Sequence, residues 1–352
     1  MGQKYAHLAQ QDPGELIAGK SRMKHSCSHN CDVCKTRYFP AVHKDSIAAL
    51  AVVRQNLVVT GSKDMRMALH NVDCGEVLHT WRGHISEVTK LAYSNAGGFH
   101  LVYSGSRDAT IRCWQFNQET PIHSLNGHQL TVSGLCTIQD NCLASGSRDG
   151  TVRLWDASRK EEIRKEYISR NIVTHVAYHP GRNLVAQSSE DKEFKLWDSR
   201  SLELATRFPR VNNIHLHCEW VPDGNQVITS CNGFNGDGCE ITIWDVRTGK
   251  KFRDLRGHEG SVTGISYITQ HGLPNKKLLA SCSLDKTVKI WNIEDGGVLW
   301  TEELAYGAEL LQIAVVGDYS IVVTGGKSLL VDMRLQTRAG RPFLRVNTVQ
   351  KE

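Results

Sequence analysis

Three stretches of this 352-residue chain repeat one set of spacings, and that set leaves few folds open. In the clearest copy, Gly127-His128 leads to Val132, Ser145, Asp149 and Trp155-Asp156. Gly83-His84 leads to Val88, Ser104, Asp108 and Trp114, and Gly257-His258 leads to Val262, Ser281, Asp285 and Trp291. In each copy His stands four residues before Val, Ser four before Asp, and Trp six after it. Short alternating apolar segments bounded by Gly, Asp and Asn fill the gaps, which is the pattern of an antiparallel meander rather than of helices. One such unit has two open edges and an apolar face that it cannot bury alone, so it must stack on copies of itself.

The remaining copies are degenerate. The first keeps His43, Ile47, Thr60 and Asp64, with His70 where Trp would stand. The fourth keeps Asp191 and Trp197-Asp198, but Ser169-Arg170-Asn171 replaces Gly-His. The fifth has no His in the slot, and its middle turn swells into the run from Cys231 to Cys239 before Trp244-Asp245. A seventh is weak, with Ile313 to Val316, Ile321 to Thr324 and Leu329 to Val331 and no Trp. At roughly 40–45 residues per unit, seven units account for nearly everything after residue 35. The expected fold is all-β, a seven-bladed propeller over residues 35–335, with a disordered tail at 1–34 and a second tail at 336–352. Lys35 to Pro40 should be a strand that pairs as the outer strand of the last blade and removes an open edge. Phe343 to Val346 offers one further strand.

Bulk properties exclude little else. A net charge of +5 is too mild to argue for nucleic acid without a clustered basic face. No apolar run reaches the ~18 residues that a span requires, and the N-terminus has no secretory h-region. Eleven cysteines without that signal read as reduced thiols in a cytoplasmic protein. Met1-Gly2 presents Gly2 for lipidation, with Ala6 in place of the favoured Ser or Thr. With the basic residues nearby, or with an acyl chain on Cys27, Cys31 or Cys34, the tail would be a reversible membrane tether. His25, Cys27, His29, Cys31 and Cys34 include one zinc knuckle, but the second ligand pair of a structural site is missing, so no metal and no cofactor are expected.

His128, Ser145 and Asp149 invite a catalytic-triad reading. The same set recurs as His84, Ser104, Asp108 and as His258, Ser281, Asp285, each with its Trp, and repetition argues for scaffold. The expected role is a buried hydrogen-bond relay through Trp114, Trp155 and Trp291. No catalytic residue is assigned. The blade-five turn matches neither a P-loop nor an EF-hand and reads as an extended hairpin turn offering Phe234 and Asp237 to a partner. The residues just before each turn Asp share one rim. Lys63, Arg107 and Arg148, with Arg170 of blade four, make a basic arc suited to an acidic protein segment. Trp197-Asp198-Ser199-Arg200 and Trp244-Asp245-Val246-Arg247 match the Trp-Asp-x-Arg pattern of substrate receptors that dock on a cullin ubiquitin-ligase adaptor, through Arg200 and Arg247.

The Gly-His and Trp-Asp ends of each unit resemble WD40 repeats. Ser169 to His175, Ser188 to Arg200, and the loop from Ser230 to Glu240 resemble the WD repeat-containing protein 31 family. That resemblance implies a non-enzymatic protein-interaction scaffold in cilium assembly or ciliary cargo trafficking, at the cilium or its base. It implies small-GTPase regulators or trafficking factors as partners. A monomer that binds proteins and not nucleic acid is expected.

Overall fold

The computed structural model describes residues 37–350 apart from 140, 169–170, 270–275, 318 and 339. Seven sheets stand around one axis, each built on four consecutive antiparallel strands, and the last carries a fifth, parallel strand. The blades cover residues 47–82, 88–125, 132–167, 173–207, 215–255, 262–303 and 310–350. The seven-bladed all-β propeller is therefore the fold. The expected disorder of residues 1–34 lies outside the described residues.

Each innermost strand opens with the same irregularity. A register shift separates its first and third residues, at Ile47/Ala49, Val88/Lys90, Val132/Gly134, Val173/His175, His215/His217, Val262/Gly264 and Leu310/Gln312. A bulge of this kind bends the strand and increases its twist. The second residue of four of these strands is a hydroxyl that reaches the neighbouring blade. Thr89 donates to the Val132 carbonyl, Ser133 to Val173, Thr174 to His215 at 2.6 Å and Thr263 to Leu310 at 2.8 Å. Ala48, Leu216 and Leu311 hold that place in the other three blades.

The apolar cores lie between blades. Trp81 and Leu69 of blade one pack with Val102 and Trp114 of blade two. Ile241 and Ile243 of blade five pack with Ile265 and Trp291 of blade six. The ring closes where Ile47 and Val58 of blade one meet Val316, Val322 and Leu330 of blade seven, with Phe39 in the same cluster.

Closure differs from the sequence expectation in one respect. The outer strand of blade seven is Arg341–Gln350, and Arg37–Phe39 lies parallel outside it as a fifth strand. The stretch 336–352, expected as a tail with one strand within it, is largely the hairpin of Leu330–Arg338 with Arg341–Gln350. Gly340 and Pro342 look like breakers in sequence. In the fold Gly340 sits in the hairpin turn, and Pro342 lies on a strand whose outer side is paired only from Thr348 onward. Phe343 packs on Trp300 of blade six, with ring centroids 6.0 Å apart.

Thr89→Val keeps the side-chain volume and β-branching but removes the bond to blade three. Chemical denaturation should show a loss of about 1 kcal/mol, with the circular dichroism spectrum unchanged.

Candidate functional site

The expected relay is present in blades two, three and six with one geometry. His84 Nδ1 lies 2.8 Å from Asp108 and Nε2 lies 2.6 Å from Ser104 Oγ. The corresponding distances are 2.9 and 2.7 Å for His128 with Asp149 and Ser145, and 2.8 and 2.7 Å for His258 with Asp285 and Ser281. Each serine oxygen also accepts an indole N–H, from Trp114, Trp155 or Trp291, at 2.7–2.8 Å. Imidazole N–H thus donates to Asp, serine O–H donates to the imidazole, and the indole donates to serine. Every group is satisfied and all three serines are fully buried. Blade one follows the same plan with substitutes. His43 lies 3.3 Å from Asp64 and 2.7 Å from Thr60, and His70 Nε2 takes the place of the indole at 2.9 Å from Thr60.

The relay fixes protonation. Burial works against charge on Asp149, but hydrogen bonds from His128, Thr151 and the Gln129 N–H outweigh it and hold the carboxyl below its usual range. Burial lowers His128 and His258 in spite of their carboxylate partners, so both remain neutral. These groups tie the third strand to the loop before the first. They are sealed from solvent and recur around the ring, which fits a structural role.

Blades four and five solve the same problem differently. Lys195, nearly inaccessible, lies 3.0 Å from both Asp191 and Glu193. Trp197 donates to Gln187 at 3.2 Å. In blade five Trp244 donates to Thr229 at 2.8 Å, and Val211 stands in the His slot beside a cavity of about 270 Å³. The blade-five turn is not a loose hairpin. Phe234 bridges to Gly260, Gly236 N–H donates to Glu259, and Ser261 bonds both the N–H and the carbonyl of Gly233. A Cβ at Gly233 would lie 2.2 Å from the Asp237 carbonyl oxygen, so only glycine fits. Cys231 and Cys239 anchor the two ends of the turn in the interior. Phe234, 76% exposed, and Asp237 face solvent.

The rim positions are built alike in every blade. Lys63 N–H donates to Ser46, Arg107 to Glu87, Arg148 to Thr131, Glu190 to Ile172, Asn232 to Ile214, Leu284 to Ser261 and Gly326 to Glu309. Lys63, Arg107 and Arg148 therefore share one rim, and all are exposed. Arg107 meets Glu87 at 3.1 Å, a solvated pair that is worth little. Arg170 lies outside the described residues, as do Gly2 and the cysteines at 27, 31 and 34. Sequence reading missed the apolar members of this surface. Ile85 is 79% exposed, Leu130 53% and Met65 44%. Ile85 N–H bonds Asp108 at 3.2 Å, and the Leu130 carbonyl accepts from Ser147 at 3.0 Å, which places both beside the arginines. Their signal is an aliphatic residue one or two positions after Gly-His.

Arg200 and Arg247 project from turns at the opposite ends of the strands. Both are exposed, and among the described residues neither pairs with a carboxylate within ion-pair distance. Their Asp neighbours cap backbone N–H groups instead, Asp198 from Arg200 and Ser201, and Asp245 from Thr248. Arg200 also lines a 400 Å³ cavity with Ile138, Ile163 and Tyr178. No group of three or more His, Cys, Asp or Glu among the described residues is arranged to hold a metal.

Comparison with known proteins agrees with this architecture. Residues 75–115, 119–156, 164–198 and 249–292 match the family WD domain, G-beta repeat. The chain is 25% identical to nuclear distribution protein nudF of Aspergillus niger over 287 residues, 75% of this chain and 63% of that protein. It is 25% identical to cell division control protein 4 of Saccharomyces cerevisiae over 84% of this chain and 34% of that protein. It is also 32% identical to WD repeat-containing protein 37 of Mus musculus over 38% of this chain and 29% of that protein. The chain thus spans less than two thirds of the relatives it matches. The fold and the matched segments define a β-propeller that carries WD40 repeats.

His128→Ala leaves Asp149, Ser145 and Trp155 short of partners and should cost about 1–3 kcal/mol, read as a lower melting temperature. Asp149→Asn should cost a similar amount at pH 7. Because the folded pKa of Asp149 is depressed, its contribution is present above the unfolded value, about 3.9. The gap between native chain and Asp149→Asn should therefore shrink as melting is followed below that pH.

Proposed function

We propose that the chain is an interaction scaffold that binds an acidic segment of a partner protein on the rim of blades one to three. One observation carries the reading. Lys63, Arg107 and Arg148 alternate there with the exposed side chains of Met65, Ile85 and Leu130. A surface with separated cations and aliphatic anchors between them suits a peptide that alternates carboxylates with apolar residues. Rigid blades hold these loops at fixed positions, so little ordering entropy is lost on binding. Phe234 and Asp237 on the anchored blade-five turn offer a second contact on the same rim. Following the family resemblance, the partners are trafficking factors or small-GTPase regulators of the cilium, met in the cytoplasm or at the ciliary base, with Gly2 lipidation as the membrane tether.

A second reading is supported by Arg200 and Arg247, both exposed and free of carboxylate partners among the described residues. Under it the chain is a substrate receptor whose opposite face docks on a ligase adaptor.

Affinity purification from ciliated cells, followed by mass spectrometry, separates the two. Arg107→Glu with Arg148→Glu should abolish partner recovery while leaving the melting temperature unchanged. Partners that persist in that variant, with loss of a ligase adaptor from Arg200→Ala with Arg247→Ala, would replace the first reading by the second.

A further inference from the structure

The third residue of each innermost strand forms one layer around the axis: Ala49, Lys90, Gly134, His175, His217, Gly264 and Gln312. The shared bulge puts all seven in register. A Cβ on Gly134 would lie 2.9 Å from the Val176 nitrogen and one on Gly264 3.1 Å from the Ile313 nitrogen, so this layer looks toward the next blade. Its polar members are an ammonium, two imidazoles and an amide, and none is acidic.

The basic members gather on one side. The rings of His175 and His217 face each other with centroids 3.8 Å apart and planes 32° apart. His175 Nδ1 meets Cys218 Sγ at 3.7 Å. His217 is 8% exposed, and its Nδ1 has no hydrogen-bond partner. Gly134 brings blade three close against blade four, where a Cβ would meet the Val176 nitrogen at 2.9 Å, and Lys90 shares the layer with both imidazoles. Burial, with the Lys90 ammonium adding to it, works against protonation of the two rings. Lys90 and His175 keep partial exposure, so solvent reaches the layer. No carboxylate among the described residues pairs with Lys90. Glu219, two residues beyond His217, accepts from the Tyr267 N–H at 3.1 Å, and burial pushes it up to about 8, which favours its neutral form, while burial lowers Lys90 to about 8, still above neutral pH. The buried imidazole nitrogen without a partner is unfavourable, and the half-buried Lys90 beside it has no protein counter-ion among the described residues. One ligand removes both defects.

We propose that Lys90, His175 and His217 form a site inside the ring for a small monoanion, either a halide or a carboxylate. The Lys90 ammonium supplies the counter-charge, and His217 Nδ1–H donates the directional hydrogen bond. Neutral His175 packs on the second ring and orients it. A free halide and the carboxylate of an inserted side chain present the same chemistry to these groups.

The test uses the full chain at constant ionic strength, with chloride, bromide or acetate replacing gluconate. Melting temperature and the ³⁵Cl resonance linewidth are read together. The native chain and Lys90→Arg should melt several degrees higher in chloride and broaden the chloride signal. Lys90→Met and His217→Phe should lose both effects, with apparent affinity falling at least tenfold. Acetate that displaces chloride identifies a carboxylate as a ligand, whereas displacement by bromide alone identifies a halide; both support the site. Equal responses from the native chain and whichever of the two variants melts cooperatively would overturn it. Loss of the response in the rim variant Arg107→Gln, or no response to any of the anions, would also overturn it.

Discussion

The fold depends on where its apolar contacts lie. Each of the seven clusters belongs to two neighbouring blades, so no blade holds a core of its own. An open ring would leave two such faces in water, each with several large side chains worth about 1.5–3 kcal/mol apiece when buried. Closure is therefore a condition of stability for every blade. The last interface carries further ties. Arg37–Phe39 lines up with the final strand, Phe39 enters the shared cluster, and Arg334 of blade seven pairs with Asp73 of blade one. The hydroxyl clasp is missing at this interface, so strand addition and an ion pair take its place.

The relay answers a different requirement. A tight turn beneath the rim places an Asp, a hydroxyl and an indole where water cannot serve them. Four of the blades use His for this, and blade one shows how loosely the other residue types are fixed. Thr60 replaces Ser, and burial drops His70 to about 3, so it offers Nε2 as a neutral ring. Blade four uses Lys195 against Asp191, which exchanges a neutral imidazole for a buried charge pair. In blade seven Asp332 accepts from Ser320 and Asn347, and burial raises its pKa. What recurs is a buried hydrogen-bonded group under the turn, reached through several residue sets, though His70 Nδ1 and Gln187 Nε2 are left without a partner among the described residues.

This explains how far the sequence could be read. Fixed offsets from His to Val, Ser to Asp and Asp to Trp are consequences of turn length and strand register, so they survive in the linear text. His70 was legible as the Trp substitute because its position alone determined its role. The final strand was not legible. Gly340 and Pro342 are breakers in the middle of a sheet but acceptable at a hairpin turn and on a mostly unpaired edge, and only the topology decides between these. The aliphatic rim side chains escaped notice because Ile85 and Leu130 look like strand residues until the loop bonds of their neighbours turn them outward. The channel layer was equally hidden. Lys90, His175 and His217 are far apart in the chain and share nothing but an ordinal position after a bulge.

Blades four and five concentrate the departures from sevenfold regularity. They lack the His relay, carry the anchored turn at Cys231 to Cys239, and contribute both channel imidazoles. Their connecting segment is also bound unusually, with Arg210 donating to the Asp191 carbonyl at 2.9 Å and Val211 to Lys192. Loss of the relay in two adjacent blades would weaken their turns unless something else fixed them. The structure supplies that through Lys195, through Arg210, and through the bonds from the blade-five turn to Glu259 and Ser261. One of those substitutes differs from the relay. The bonds of the blade-five turn cross to blade six, whereas the relay and the Lys195 cluster each stay inside one blade. A partner that touches the blade-five turn therefore acts on blade six as well. In blades two and three each relay closes within its own blade, which suits them to present fixed rim contacts.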